Sequence, residues 1–382
     1  MSKQMTSRER FFKALNFEEP DKVPQSIRWA TSTAVKLAEI YGYEPKPGES
    51  MSYGGHLSKL IGNDLIVVQL GINSMMEMAG GGLMNEGDTY VSEWGVTYER
   101  QNQFDNPVKH PLGESRDQLD DFQWPDPSEA RRMKELDEVI AIYGDSHVIL
   151  ADVSSTLFEA SMAHLRGMQN MILDLYDDPA WAGRLLDGLA DYYSELGLRA
   201  IEHGADIIRI GDDIGVQNGL LIPPEMWREH VRPRIKRLID TWKEKSPETN
   251  FMYHSCGDFS AVAGDFIDMG FTMLSTMQPV AGFKNPWENK RKWGGKVMFK
   301  GGLDVQQVLP NGTLPEIRMH VRRLIKAYAP GGGYIFQPAH LIYQDVPMKN
   351  IWAMLTAFEQ CRDYPIDIPE ITEKDFFPNA AE

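Results

Sequence analysis

The feature that most constrains this chain is a rhythm of short apolar runs alternating with amphipathic stretches, which sets in at about residue 147. The runs are 147–153 (HVILADV), 205–210 (ADIIRI), 250–254 (NFMYH), 272–276 (TMLST), 296–299 (KVMF) and 333–337 (GYIFQ). Each is brief, apolar and bounded by Gly, Asp or Pro, as buried parallel strands are. Helical periodicity fills 180–203, 224–245, 261–269, 315–329 and 347–362. Two earlier runs, 23–27 and 64–70, bring the strand count to eight. Eight strands in βα alternation predict an α/β fold of the closed (β/α)8 TIM barrel type, with a doubly wound open sheet as the alternative.

A length of 382 residues suits one such barrel, so residues 1–382 are expected to form a single domain. Residues 71–130 break the rhythm with a glycine turn at 80–82, a hairpin-like YVSEWGVTYER and the Pro-flanked WPDP. This insertion follows the second strand and is expected to lie over the barrel mouth as a lid. Residues 366–382 read as a surface tail.

Charge narrows the partners. A net charge of −16 has the wrong sign to attract nucleic acid or an anionic membrane surface. No run approaches the roughly 18 apolar residues of a membrane helix. The opening MSKQMTSRERFFKALNFEEPDKVP is charged and helical in pattern, unlike a signal peptide. Cys256 and Cys361 are too few for a disulfide framework, so a cytoplasmic protein is expected. The sequence does not fix an oligomeric state; a homodimer is compatible with it.

Reactive groups of such a barrel come from the C-terminal ends of its strands. The third run ends in Asp152, the fourth leads to Asp212 and Asp213, and the fifth to His254 and Cys256. Gln278 follows the sixth and His340 the eighth. Ionisable groups converging on one mouth point to an enzyme. His254 and Cys256, spaced i, i+2, share one face of an extended chain, and tetrahedral zinc with an open position needs one further donor, for which His340 is placed. The same pair also suits a buried histidine packed beside a cysteine. Asp212 and Asp213 are consecutive, so one is expected to enter the mouth and the other to cap a turn. Gln217 and Gln278, with Asp152 and Asp213, are candidates for holding a substrate, and polar loop residues also serve backbone groups. Glu159 in LFEASMAHLRG is a second acid candidate, with His164 structural. Gly301, Gly302 and the glycines at 331–333 lack phosphate-loop spacing and read as turns. The 20 methionines read as core filling.

Several stretches resemble the uroporphyrinogen decarboxylase superfamily, particularly its methyltransferase branches: RERFFKALNFEEPDKVP, GADIIRIGDDIGVQNGLLIPPEMWREHVRPR, HSCGDFSAVAGDFIDMGFTMLSTMQP, FKGGLDVQQVLPNGTLPEIRMHVRRLI and HLIYQDVPMKNIWAML. The resemblance implies the same barrel. True decarboxylases carry an arginine-rich M-R-Q-A-G-R-Y segment after the first strand. Here IRWATSTAVKLAEIYG offers only Arg28, too few counter-charges for a porphyrinogen. Zinc-using methyltransferase branches carry H-x-C and a distant Cys in a G-C-G segment. This chain has His254 and Cys256 in HSCGD, but PAHLIYQDVPMKN places His340 where the second Cys would stand. That leaves either a His/Cys/His zinc site or a site without metal.

The resemblance therefore implies a corrinoid-dependent methyltransferase. The expected reaction moves a methyl group from a small donor, favoured as a methoxylated aromatic, to the cob(I)alamin of a separate corrinoid protein. No D-x-H-x-x-G corrinoid stretch occurs in the chain, so the cobalamin is expected on that partner. Asp212 and Glu159 are the candidate proton donors. The alternatives are a decarboxylase of a tetrapyrrole or related acid, and a barrel that only binds a corrinoid or small ligand.

Overall fold

The computed structural model describes residues 4–44, 55–70, 87–101, 104–153 and 155–377. Seven strands form one parallel sheet: β1 (Leu65–Gln69), β2 (Val148–Asp152), β3 (Ile207–Gly211), β4 (Asn250–His254), β5 (Met273–Thr276), β6 (Met298–Gly301) and β7 (Tyr334–Ile335). Their order in the sheet is their order in the chain, as right-handed βα crossovers require, with helices between them. This is a TIM-barrel-like α/β fold, as expected.

The eighth run, 23–27, is not a regular strand, which corrects the count of eight. It lies between the two edge strands and touches each through single residues. Gln25 bridges Phe336 in parallel, Ser26 N–H donates to the Phe336 carbonyl at 3.0 Å, and Asp64 N–H donates to the Gln25 carbonyl at 2.8 Å. Pro24 has no N–H to offer a ladder, so pairing stops after one residue. A second correction concerns 224–245, which is two helices, Pro224–His230 and Arg232–Lys245. Pro233 lacks the N–H that would bond the Glu229 carbonyl, and its ring crowds that turn.

Strand periodicity sorts the barrel interior. Leu65 and Val67, Val148 and Leu150, Ile207, Met252, Met273, Met298 and Ile335 point inward and form one buried cluster with Phe11, Ala14 and Leu15. Those last three belong to the helix Ser7–Leu15, which plugs the barrel's lower end. Its start is fixed by a capping box between Thr6 and Glu9. Arg10 anchors it, donating to Asp64 at 2.6 Å and to Asp21 at 2.7 Å. The alternate strand positions, such as Ile66, Val68, Ile208 and Ile210, pack outward under the helices.

Within the insertion, Thr89–Val91, Thr97–Gln101 and Phe104–Lys109 form a small antiparallel sheet. Trp94 ties it to the helix Pro179–Glu202, with its ring centroid 4.7 Å from that of Tyr192. The glycine turn at 80–82 lies outside the described residues. The stretch expected as a tail is docked up to residue 377: Ile368 and Ile371 are buried, and Arg291 donates to Glu373 at 2.7 Å. No helix of the described residues is long and apolar enough to cross a membrane.

Candidate metal and active site

Above the apolar plug the interior turns polar, and the period of two dictates which residues make the change. Two positions beyond the last inward hydrophobe, the strands place Gln69, Asp152, Arg209, His254, Ser275, Lys300 and Gln337. Strand register aligns Gly211, His254, Ser275 and Lys300 in one row across β3 to β6. Asp152 and Arg209 are register partners on β2 and β3, and their side chains form a buried ion pair.

His254 ends β4 and is 6% exposed, with Nδ1 3.3 Å from the Ser275 hydroxyl. That contact turns Nε2 towards Cys256, whose Sγ lies 3.9 Å away. The loop carrying Cys256 is held by a close approach: Gly257 has φ +75°, and a Cβ there would sit 2.2 Å from the Gly215 backbone. Asp258 N–H then donates to the Val216 carbonyl at 2.7 Å. His340 completes the group, and one donor atom from each of His254, Cys256 and His340 lies within 4.8 Å of the others. Three such donors around one point fit a zinc ion with its fourth position open, at metal–ligand lengths of about 2.0–2.3 Å, after a small side-chain adjustment. Both imidazoles favour the neutral, ligating form. Burial, helped by Arg28 and Arg209, brings His340 down to about 4, and burial with Arg209 and Arg28 holds His254 well below its ordinary range. The Cys256 thiol is pushed well up by burial and by the nearby Asp213 charge, so a cation rather than solvent is what would draw off its proton.

Three carboxylates stand beside this group. Glu159 opens a π-helical turn, Ala160–Leu165, after the short helix Leu157–Glu159. The Asp213 N–H donates to Glu159 Oε2 at 3.1 Å, and Asp213 Oδ1 accepts the Cys256 N–H at 2.7 Å. Burial, then the Asp213 charge, raises Glu159 well above the carboxylate range, and burial raises Asp213 too. Two close, desolvated carboxyls hold a proton between them more readily than either alone. Asp212 turns the other way. It is fully buried, its Oδ1 accepts the Glu159 N–H at 2.6 Å, and its Oδ2 has no hydrogen-bond partner among the described residues. Burial raises its carboxyl to about 7.

The remaining candidates divide. Asp152 is buried against Arg209. Gln278 accepts the Gly257 N–H on its side-chain oxygen at 2.6 Å and so supports the Cys256 loop. Gln217 is exposed, 3.4 Å from Gln306. His164 shares a hydrogen bond of 2.9 Å with the Tyr98 hydroxyl. Arg209, Lys300 and Gln337 escape a reading that looks only past the strand ends, yet a charged residue inside IIRIG and MFKG was itself the signal. The small sheet reaches the site through aromatic contacts, Phe104 on Tyr343 at 5.6 Å and Tyr343 on His340 at 5.7 Å.

A family model described as uroporphyrinogen decarboxylase matches residues 94–361. A methylated-thiol–coenzyme M methyltransferase of Methanosarcina mazei is 27% identical over 271 residues, covering 69% of this chain and 68% of that protein. The uroporphyrinogen decarboxylase of Pelodictyon phaeoclathratiforme is 24% identical over 180 residues, 46% of this chain and 48% of its own. The chain thus spans about half the length of that decarboxylase. Among solved structures, a methyltransferase from Methanosarcina mazei superposes with a TM-score of 0.68 at 16% identity, covering 93% of this chain and 99% of that one, a likeness of fold.

Proposed function

This chain belongs to the uroporphyrinogen decarboxylase family, and from that premise we propose that it is a methyltransferase working with a separate corrinoid protein. The observation that carries this reading is the convergence of His254, Cys256 and His340 on one point beside the Glu159–Asp213 pair. A decarboxylase of an acid has no evident use for such a donor set. The similarity to a methylated-thiol–coenzyme M methyltransferase supports the same choice.

The residues divide the work as follows. His254 presents Nε2 because Ser275 occupies its Nδ1 side, and Cys256 is fixed by Asp213 and by Gly257's contact with Gly215. Zinc held there would act as a Lewis acid on the oxygen or sulfur that bears or receives the methyl group. Glu159 and Asp213, both raised by burial, would keep a proton available at the same mouth. With a methoxylated aromatic, the favoured donor, a corrinoid brought by the partner would supply the nucleophile that takes the methyl group from the C–O bond. The proton goes from the carboxyl pair to the departing oxygen, leaving a phenol. Asp212 supports this pair from below through the Glu159 N–H, so the acid role is assigned to Glu159 with Asp213 in place of Asp212 alone. The insertion containing Phe104 would border the surface where the corrinoid protein docks.

The test is methyl transfer to free cob(I)alamin by the zinc-loaded protein, from methoxylated aromatics and methyl thioethers in parallel. Formation of methylcobalamin from one of these supports the reading, and loss of carbon dioxide from a carboxylic acid without methyl transfer replaces it by the decarboxylase alternative.

A further inference from the structure

Lys300 sits on β6 inside the barrel and is 2% exposed. Its Nζ donates to the side-chain oxygen of Gln337 and, among the described residues, forms no ion pair with a carboxylate, and burial with the charges of Arg28 and Arg209 holds this amine well below its ordinary range until an anion supplies a counter-charge. Asp152, the acid whose charge favours that of Lys300, is paired with Arg209. Gln337 is fully buried, and its side-chain Nε2 has no hydrogen-bond partner among the described residues. Two neighbouring buried groups therefore keep N–H donors in reserve, and an unmet buried donor is costly.

A purely structural role explains this poorly. Packing at this level would be served by Met, as at Met298 two residues earlier, without desolvating a cation. We propose that Lys300 and Gln337 are the seat for an anionic group, a carboxylate or sulfonate, on the small substrate. One such group accepts from Lys300 Nζ and Gln337 Nε2 together, supplying the counter-charge and the missing acceptor at once. The guanidiniums of Arg28 and Arg209 add positive potential at the same level. Lys300 is two strands from His254 in the register row, about 10 Å at the backbone. That spacing suits one small ring, or a short chain, between the anionic group and the atom presented to His254, Cys256 and His340. The inference rests on the barrel mouth being the reaction chamber.

Equilibrium binding of benzoate, benzenesulfonate and 3-methoxybenzoate, each against its carboxamide or sulfonamide isostere, tests this on the zinc-loaded protein. The expected result is at least about tenfold tighter binding of an anion than of its neutral isostere. That preference should vanish in Lys300→Met while the melting temperature stays level or rises, because a buried, desolvated amine is replaced by an apolar side chain of similar length. Lys300→Gln, which keeps a donor without the charge, gives the same reading should the Met variant misfold. Equal affinity for anion and isostere, no anion binding at millimolar concentration, or a preference that survives both substitutions overturns the assignment. Because binding needs no methyl acceptor, anion preference without methyl transfer leaves this seat standing and removes the methyltransferase reading, and methyl transfer without the preference does the reverse.

Discussion

Asp213 accepts the backbone N–H of Cys256 at 2.7 Å, so the loop after β3 fixes the thiol carried by the loop after β4. One residue thereby serves two groups. Its carboxylate orients a candidate metal ligand, and its backbone N–H holds Glu159 within reach of the same mouth.

The acid assignment makes a test of paired variants. Glu159→Gln keeps the acceptor for the Asp213 N–H but removes the proton, and methyl transfer from an ether should fall by about 10²-fold with little change in KM. Steady-state kinetics with Asp212→Asn beside it decides between the two. A comparable fall in Asp212→Asn with Glu159→Gln near normal would return the acid role to Asp212.

Asp212 also shapes stability. Its folded-state carboxyl lies at about 7, raised by burial from an ordinary 3.8. Between those values the folded protein keeps a proton that the unfolded chain has released, so this stabilisation is complete below the unfolded value and is lost as pH rises through about 7. The loss is on the order of 4 kcal/mol when the group is fully ionised. Urea melts between about pH 4 and 7 should show stability falling in the wild type, levelling off above that, and a flatter profile in Asp212→Asn. Equal slopes for the two proteins would place the pH dependence on other groups.

The barrel plug gives a core prediction. Phe11 is fully buried among the inward residues of the strands, and Phe11→Ala should cost about 3–5 kcal/mol in a urea melt. A cost below about 1 kcal/mol would mean that the helix Ser7–Leu15 is not integral to the interior.

Much of this was legible in sequence, for physical reasons that also mark the limits. Buried parallel strands need short apolar runs, so seven of the eight were located. The eighth, around Gln25, keeps apolar Val23 and Ile27 at its ends, but Pro24 removes a ladder donor and demotes the run to single bridges. The trio His254, Cys256 and His340 was readable because spacing i, i+2 and position past a strand end are local facts. The Glu159–Asp213 contact was not, since it depends on the π-helical turn after Glu159 and on how two loops meet. Lys300 and Gln337 were overlooked because they lie within or beside apolar runs, where inward and outward positions separate only once register is fixed.

The most direct measurement is cob(I)alamin methylation followed by absorbance with wild type and Cys256→Ala, each assayed for bound zinc. The expected result is about one zinc per wild-type chain, methylcobalamin formed from a methyl ether or thioether, and both zinc and transfer sharply reduced in Cys256→Ala. Wild-type protein that takes up no zinc when it is abundant and forms no methylcobalamin from any donor would contradict the assignment of His254, Cys256 and His340 to a methyl-transfer site.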